Sequence, residues 1–298
     1  MAKNQLSSED IELLRKAREA QKQLSQTGMD ASPGERVETA KPVVNHETYI
    51  PIDFLPSGGF FYQNKISGQP LKVEDLLLVQ SLNERNSYKV FSEIFSRRLR
   101  GVEPHDILVC DEIYLALWLR ANSYPGYNFP HDAFTCKNPE CELDIPHGAV
   151  EFGFMDMDFT PKNLDVVKAK FGGKNSTILT LKSGREVTMY MKRRKHMARI
   201  ESFLNRDYYA FGNRPSDELV QLLGVASVIT FDEGMDIMDV VSGLKSLTPV
   251  EFSDLISQIK KYTMTGEPSI GLTCPACKEV TRFSGYAFQP DLFIPIDE

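Results

Sequence analysis

No stretch of this 298-residue chain approaches the ~20 consecutive apolar residues of a membrane-spanning helix, so no helical span is expected. Positive charge is in deficit: 34 lysines and arginines stand against 41 aspartates and glutamates, a formal net charge of −7. A general nucleic-acid binder normally carries a basic field, so nucleic acid is not the expected partner, although the total leaves room for a local basic patch. The chain lacks a phosphate-binding P-loop, a dinucleotide glycine motif, an HExxH helix and a nucleophile elbow. Its five histidines are scattered and form no acid–base constellation, so no enzymatic activity is expected. No apolar leader opens the chain, which points to a reducing compartment and against disulfides. The remaining composition, 42% hydrophobic and 25% charged, is ordinary for one or two cored domains.

Cysteine is scarce, but four of the five fall in two close pairs: Cys136 and Cys141, then Cys274 and Cys277. The second pair is a Cys274-Pro275-Ala276-Cys277 knuckle, the first a longer Cys136-Lys137-Asn138-Pro139-Glu140-Cys141 loop. Two thiolates on one tight loop bind one face of a tetrahedral ion, and a second such loop completes the shell. Four protein ligands leave no position open for substrate, so the expected cofactor is a structural Zn2+. The C-x4-C spacing is wide, and about 130 residues separate the pairs. Closing that loop costs roughly 4 kcal/mol of chain entropy. Structural zinc supplies roughly 10–16 kcal/mol of apparent binding energy in small fingers, which exceeds that cost. The competing reading is a set of unconnected, partly buried thiols. His131 and His147 flank the first pair and read as loop residues; Cys110 lies in an apolar stripe and reads as core.

The chain divides into an N-terminal amphipathic arm and linker, 1–45, and a globular part, 46–298, in which segment 148–266 is inserted between the cysteine pairs. In the arm, Leu13, Ala17, Ala20 and Leu24 recur at helical spacing with Ile11 and Leu14 beside them. Ile11, Leu13, Leu14, Ala17 and Leu24 are the candidate partner-binding residues if the arm orders on a partner; a solvated arm is the alternative. Further on, Leu55-Pro56-Ser57-Gly58-Gly59 predicts a hairpin turn from which Phe60–Tyr62 resume a strand. Helical faces follow at 71–79, at Tyr88, Phe91, Ile94, Phe95 and Leu99 with Gly101 as the stop, and at Ile107, Cys110, Ile113, Leu117 and Trp118. Alternation over Glu151–Phe159 predicts a strand, with Asp156 and Asp158 on its exposed edge. Lys182-Ser183-Gly184-Arg185 predicts a hairpin, and Met197, Ile200, Phe203 and Leu204 a helical face. Thr248-Pro249-Val250-Glu251 predicts a capped helix start. The dense basic run Lys192–His196 reads as a solvated first helical turn, with contact to phosphate or an acidic protein surface as the functional alternative.

Taken in order, the Leu55–Tyr62 string, Asp106–Asp111, Arg120-Ala121-Asn122-Ser123-Tyr124, the first cysteine loop, Leu181–Arg185 and the closing knuckle form a pattern over residues 50–295. It resembles the baseplate hub and baseplate assembly proteins of T-even-like contractile-tail bacteriophages. The resemblance implies a non-enzymatic structural or assembly role in the tail baseplate. It implies other hub or wedge proteins, or further copies of the chain, as partners. It also implies host cytoplasm during assembly, and the finished virion, as locations. The arm lies outside the pattern. The expected fold is α+β: a helix-rich body with short β-hairpins and a split four-cysteine zinc-ribbon-like element. The rival functional class is a zinc-ribbon nucleic-acid-binding regulator that uses Lys192–Lys195.

Overall fold

Strand and helix signals alternate along the chain without the long βαβ rhythm of a parallel sheet, and the computed structural model resolves them into small antiparallel sheets and eight α-helices among the described residues, 48–82, 86–126, 128–264 and 268–284. The candidate arm residues Ile11, Leu13, Leu14, Ala17 and Leu24 lie outside these. In chain order the strands are β1 (Ile50–Pro51), β2 (Ser67–Gly68), β3 (Leu99–Arg100), β4 (Phe129–Pro130), β5 (Phe134–Thr135), β6 (Asp144–Ile145), β7 (Glu151–Phe152), β8 (Met157–Asp158), β9 (Ser176–Thr180), β10 (Glu186–Tyr190), β11 (Ile229–Thr230), β12 (Ser269–Thr273) and β13 (Val280–Ser284). The helices are α1 (Val73–Gln80), α2 (Ser87–Arg98), α3 (Val109–Ser123), α4 (Leu164–Phe171), α5 (Arg194–Asp207), α6 (Asp217–Ala226), α7 (Ile237–Lys245) and α8 (Pro249–Tyr262).

These elements form two units. The larger takes in the described residues of Val44–Pro125 and Phe159–Pro268 and holds all eight helices. Its three-stranded sheet β11-β10-β9 pairs Glu186 with Thr180 across the turn at Gly184, as the hairpin signal predicts. Leu179, Val187 and Met189 face a core shared with Val167, Phe203, Leu223, Val240 and Leu255, and Cys110 is buried in the same cluster. The α8 start carries the predicted box: Thr248 Oγ1 accepts from the Glu251 amide, and Glu251 Oε2 accepts from the Thr248 amide at 3.0 Å. Helix α7 escaped the sequence reading. Asp236 caps it by accepting from the Met238 and Asp239 amides, and Ile237, Val240, Val241 and Leu244 are its buried face.

Several expectations are corrected here. Phe60 and Phe61 lie in an extended turn rather than a strand, because Gly58 and Gly59 both take left-handed φ values of 69° and 68°. Helix α2 stops at Arg98, and Leu99 turns extended to pair with Gly68. Gly101 follows that strand rather than capping the helix. At its φ of 86°, a Cβ would stand 2.1 Å from the Lys65 carbonyl oxygen, so only glycine fits. The basic run is also only partly at the surface: Lys195 is exposed, but the two arginines are not. Arg193 and Arg194 are 5% and 0% exposed. Arg194 pairs with Glu112, donates to the Tyr88 carbonyl and Ser92 Oγ at 2.8 and 3.0 Å, and lies over the Tyr88 and Phe95 rings.

The smaller unit contains the described parts of Gly126–Asp158 and Ser269–Gly285. Of the segment between the cysteine pairs, 148–158 belongs to this unit and the described residues of 159–266 to the other. The predicted strand over Glu151–Phe159 breaks into β7, a 3-10 turn at Phe154–Asp156, and β8. Gly153 and the Asp156 carboxylate close that turn with a 2.7 Å hydrogen bond. Strand β8 pairs with β12, which pairs with β13 over five residues. Strands β5 and β6 form a second hairpin, and β4 pairs with β7.

Candidate metal centre

Each cysteine pair crowns one hairpin of the smaller unit. Cys136 and Cys141 sit at the turn between β5 and β6, and Cys274 and Cys277 at the turn between β12 and β13. The two turns share one backbone pattern despite their different lengths. The amide of the first cysteine donates to the carbonyl two residues past the second: Cys136 to Leu143 at 2.9 Å, Cys274 to Glu279 at 2.8 Å. The residue directly after the second cysteine takes a left-handed φ, 43° at Glu142 and 65° at Lys278. These are the non-glycine residues with positive φ among those described, a backbone that residues with a side chain seldom adopt. The longer loop reaches this geometry through Asn138, whose Oδ1 accepts from Glu140 and whose carbonyl accepts from Cys141 and Glu142.

The four sulfurs lie within 4.8 Å of one another. Cys136 Sγ stands 3.6 Å from Cys277 Sγ, and Cys141 Sγ 3.9 Å from Cys274 Sγ, so the first cysteine of each turn faces the second of the other. A tetrahedral ion with metal–sulfur bonds of about 2.3 Å separates its sulfurs by about 3.8 Å, and the observed distances straddle that figure. A disulfide needs about 2.05 Å, and all four thiols are free. The donor set therefore fits one four-coordinate metal ion. Cys136 and Cys274 are buried with Ile145, Cys141 is half-buried and Cys277 is exposed.

Backbone N–H groups aim at the sulfurs: Asn138 at Cys136, Leu143 at Cys141 and Glu279 at Cys277. The Glu279 amide brings the Cys277 thiol down to about 7. At Cys136 and Cys141 the Asn138 and Leu143 amides act the same way, but burial and the neighbouring thiols outweigh them and hold both thiols above the ordinary value. Metal binding must therefore displace protons, and the amides then support the sulfur charge.

His131 is buried against the Phe134, Phe152 and Phe283 rings with its Nδ1 at the Asp132 carbonyl. His147 is exposed and lies 3.4 Å from Asp132. Neither joins the sulfur cluster, and Asp156 and Asp158 form no metal-ligating group. Among the described residues the four cysteines are the one cluster of histidine, cysteine or acidic side chains placed to hold an ion. No family model, curated protein or solved structure matches the chain.

Proposed function

We propose that Cys136, Cys141, Cys274 and Cys277 hold one structural Zn2+, and that the protein is a non-enzymatic structural or assembly component of a bacteriophage tail baseplate hub that acts by protein–protein docking. The closed four-sulfur shell carries this reading: every tetrahedral position is taken by protein, and a site with no open position suits a staple rather than a catalyst. Zinc would link the two hairpins in the manner of a split zinc ribbon. Segments far apart in sequence would then depend on one ion, and thiolate ligation suits zinc in a reducing compartment. The ordered landmark pattern from Leu55 to Cys277 supports the baseplate assignment, with hub or wedge proteins or further copies of the chain as partners.

Elemental analysis of the purified protein is expected to give one zinc per chain, and cobalt substitution the absorption of tetrahedral thiolate ligation. A water ligand on cobalt points instead to an open, catalytic site. Co-purification from phage-infected cells, with mass spectrometry of assembly intermediates, is expected to recover baseplate proteins; recovery of none counts against the hub assignment. The nucleic-acid reading loses support from the burial of Arg193 and Arg194, which withdraws half of the Lys192–Lys195 run from any phosphate backbone.

A further inference from the structure

The four sulfurs of the smaller unit differ in how far solvent reaches them. Cys136 and Cys274 are 3% and 0% exposed, Cys141 is half-buried and Cys277 is exposed. Both S···S contacts of hydrogen-bond geometry run between the hairpins, Cys136 to Cys277 at 3.6 Å and Cys141 to Cys274 at 3.9 Å. Each contact therefore joins a more accessible sulfur to a buried one. The residues so joined stand 141 and 133 positions apart in the chain, whereas the two cysteines of one loop are near neighbours. A disulfide needs about 2.05 Å, so each contact has to close by about 2 Å or less.

An oxidant reaches an accessible cysteine first, and the sulfenic acid formed there condenses with the thiol in contact with it. We infer that Cys277 and Cys141 are sites of attack by hydrogen peroxide, and that Cys136 and Cys274 resolve them into two disulfides that tie one hairpin to the other. At each site the accessible sulfur takes one oxygen from the peroxide, whose other oxygen leaves as water. The buried sulfur then displaces the first oxygen, which leaves as a second water. Each disulfide thus consumes two thiolates, one peroxide and two protons, and the two sulfurs supply the two electrons. The sulfurs also lose the charge that holds an ion. Pairing within each loop would then leave the hairpins unlinked. Pairing across them puts a covalent link in place of the metal, and closing so long a stretch of chain restricts the unfolded state more than closing a loop of a few residues. The inference rests on the staple reading for the link and on the baseplate reading for its circumstance. Host cytoplasm keeps thiols reduced, and a virion outside the cell loses that protection.

The test is disulfide mapping on the full reduced chain, after its zinc content has been measured. The chain receives two equivalents of hydrogen peroxide at low protein concentration, is alkylated in denaturant and is digested without reduction. Trypsin cuts after Lys137, between the first two cysteines, and fragmentation of the linked peptides in the mass spectrometer separates Cys274 from Cys277. Links from Cys136 to Cys277 and from Cys141 to Cys274 are expected to exceed links within either loop by about tenfold, with Cys110 still a free thiol. In chelator, protease is expected to cut 128–158 and 269–284 about tenfold more slowly in the oxidised chain than in the reduced one. Links mainly within the loops, the two cross-hairpin partners exchanged, sulfinic acid without disulfides, or cleavage as fast as in the reduced chain each overturn the inference. One zinc per chain followed by loop-internal disulfides sinks this inference and leaves the staple standing. Cross-hairpin disulfides in a chain that holds no zinc do the reverse, and neither result alters which proteins co-purify.

Discussion

Single side chains decide more here than their sequence positions suggest. Arg194 sits in a basic run that reads as surface, yet it is fully buried and bound to Glu112, Tyr88 and Ser92, with burial pushing its guanidinium down to about 10. Removing it strands the Glu112 carboxylate and the Tyr88 carbonyl. Arg194→Ala is expected to lower stability in urea by about 3–5 kcal/mol, whereas Arg194→Met with Glu112→Leu recovers much of that. A single-variant loss below about 1 kcal/mol would show that the pair contributes little. Cys274 is as consequential. It is buried at the centre of the smaller unit's cluster, and Cys274→Ser is expected to abolish stoichiometric metal uptake and loosen that unit. A variant that keeps both full metal content and thermal stability refutes the staple.

Helix caps dominate at the scale of elements. Thr248 and Asp236 satisfy the first amides of α8 and α7, and Thr248→Ala is expected to cost about 1 kcal/mol. Both caps are also sensitive to acid. Glu251 is lowered by the Thr248 amide, and Asp236 by the Asp239 and then the Met238 amide. A carboxylate with a depressed folded pKa contributes stability above its unfolded pKa, near 3.9 for Asp and 4.3 for Glu, and loses it as pH falls through the folded value. The wild type is therefore expected to lose stability faster than Asp236→Asn/Glu251→Gln as pH drops from about 5 to 2. Parallel urea midpoints across that range would remove the caps as the cause. The caps also show what pattern reading can reach. Thr248-Pro249-Val250-Glu251 announces its helix in four residues, while the Ile237, Val240, Val241 and Leu244 stripe of α7 is short and its helix carries Gly243, a poor helix former. That glycine has its own reason: a Cβ there would stand 2.6 Å from the Phe231 ring.

The two units differ in what holds them together. The larger has an extensive core of aliphatic and aromatic side chains, from Phe61 and Val167 to Leu255. The smaller has a buried cluster of Cys136, Ile145 and Cys274, with Phe134, Leu143 and Val150 packed against it. Phe129, Phe152, Met157, Ile270 and Leu272 are buried in it as well, but a core drawn from so short a length of chain rarely suffices without a covalent or metal link. Treatment with a strong chelator under reducing conditions is expected to open 128–158 and 269–284 to limited proteolysis while the described helices and strands of the larger unit stay protected. Equal loss in both units would mean that the metal supports the whole chain.

Read alone, the sequence determined what local chemistry can encode: the hairpin at Gly184, the Thr248 capping box, the amphipathic faces of α2 and α5, and the two close cysteine pairs. Tertiary structure decided which residues meet. That Cys136 faces Cys277 while Cys141 faces Cys274 depends on two hairpins more than a hundred residues apart in the chain. The left-handed backbone at Glu142 and Lys278 has no marker in the residue types, because glutamate and lysine are ordinary turn residues and the conformation belongs to hydrogen-bonded turns that form only in the folded hairpins. The burial of Arg193 and Arg194 is the plainest case. Charge predicts a solvated run, but long side chains can bury their charge where packed elements supply acceptors. Here those acceptors come from Phe61, Tyr88, Asp106, Glu112 and Asn175, residues that only the folded chain brings together.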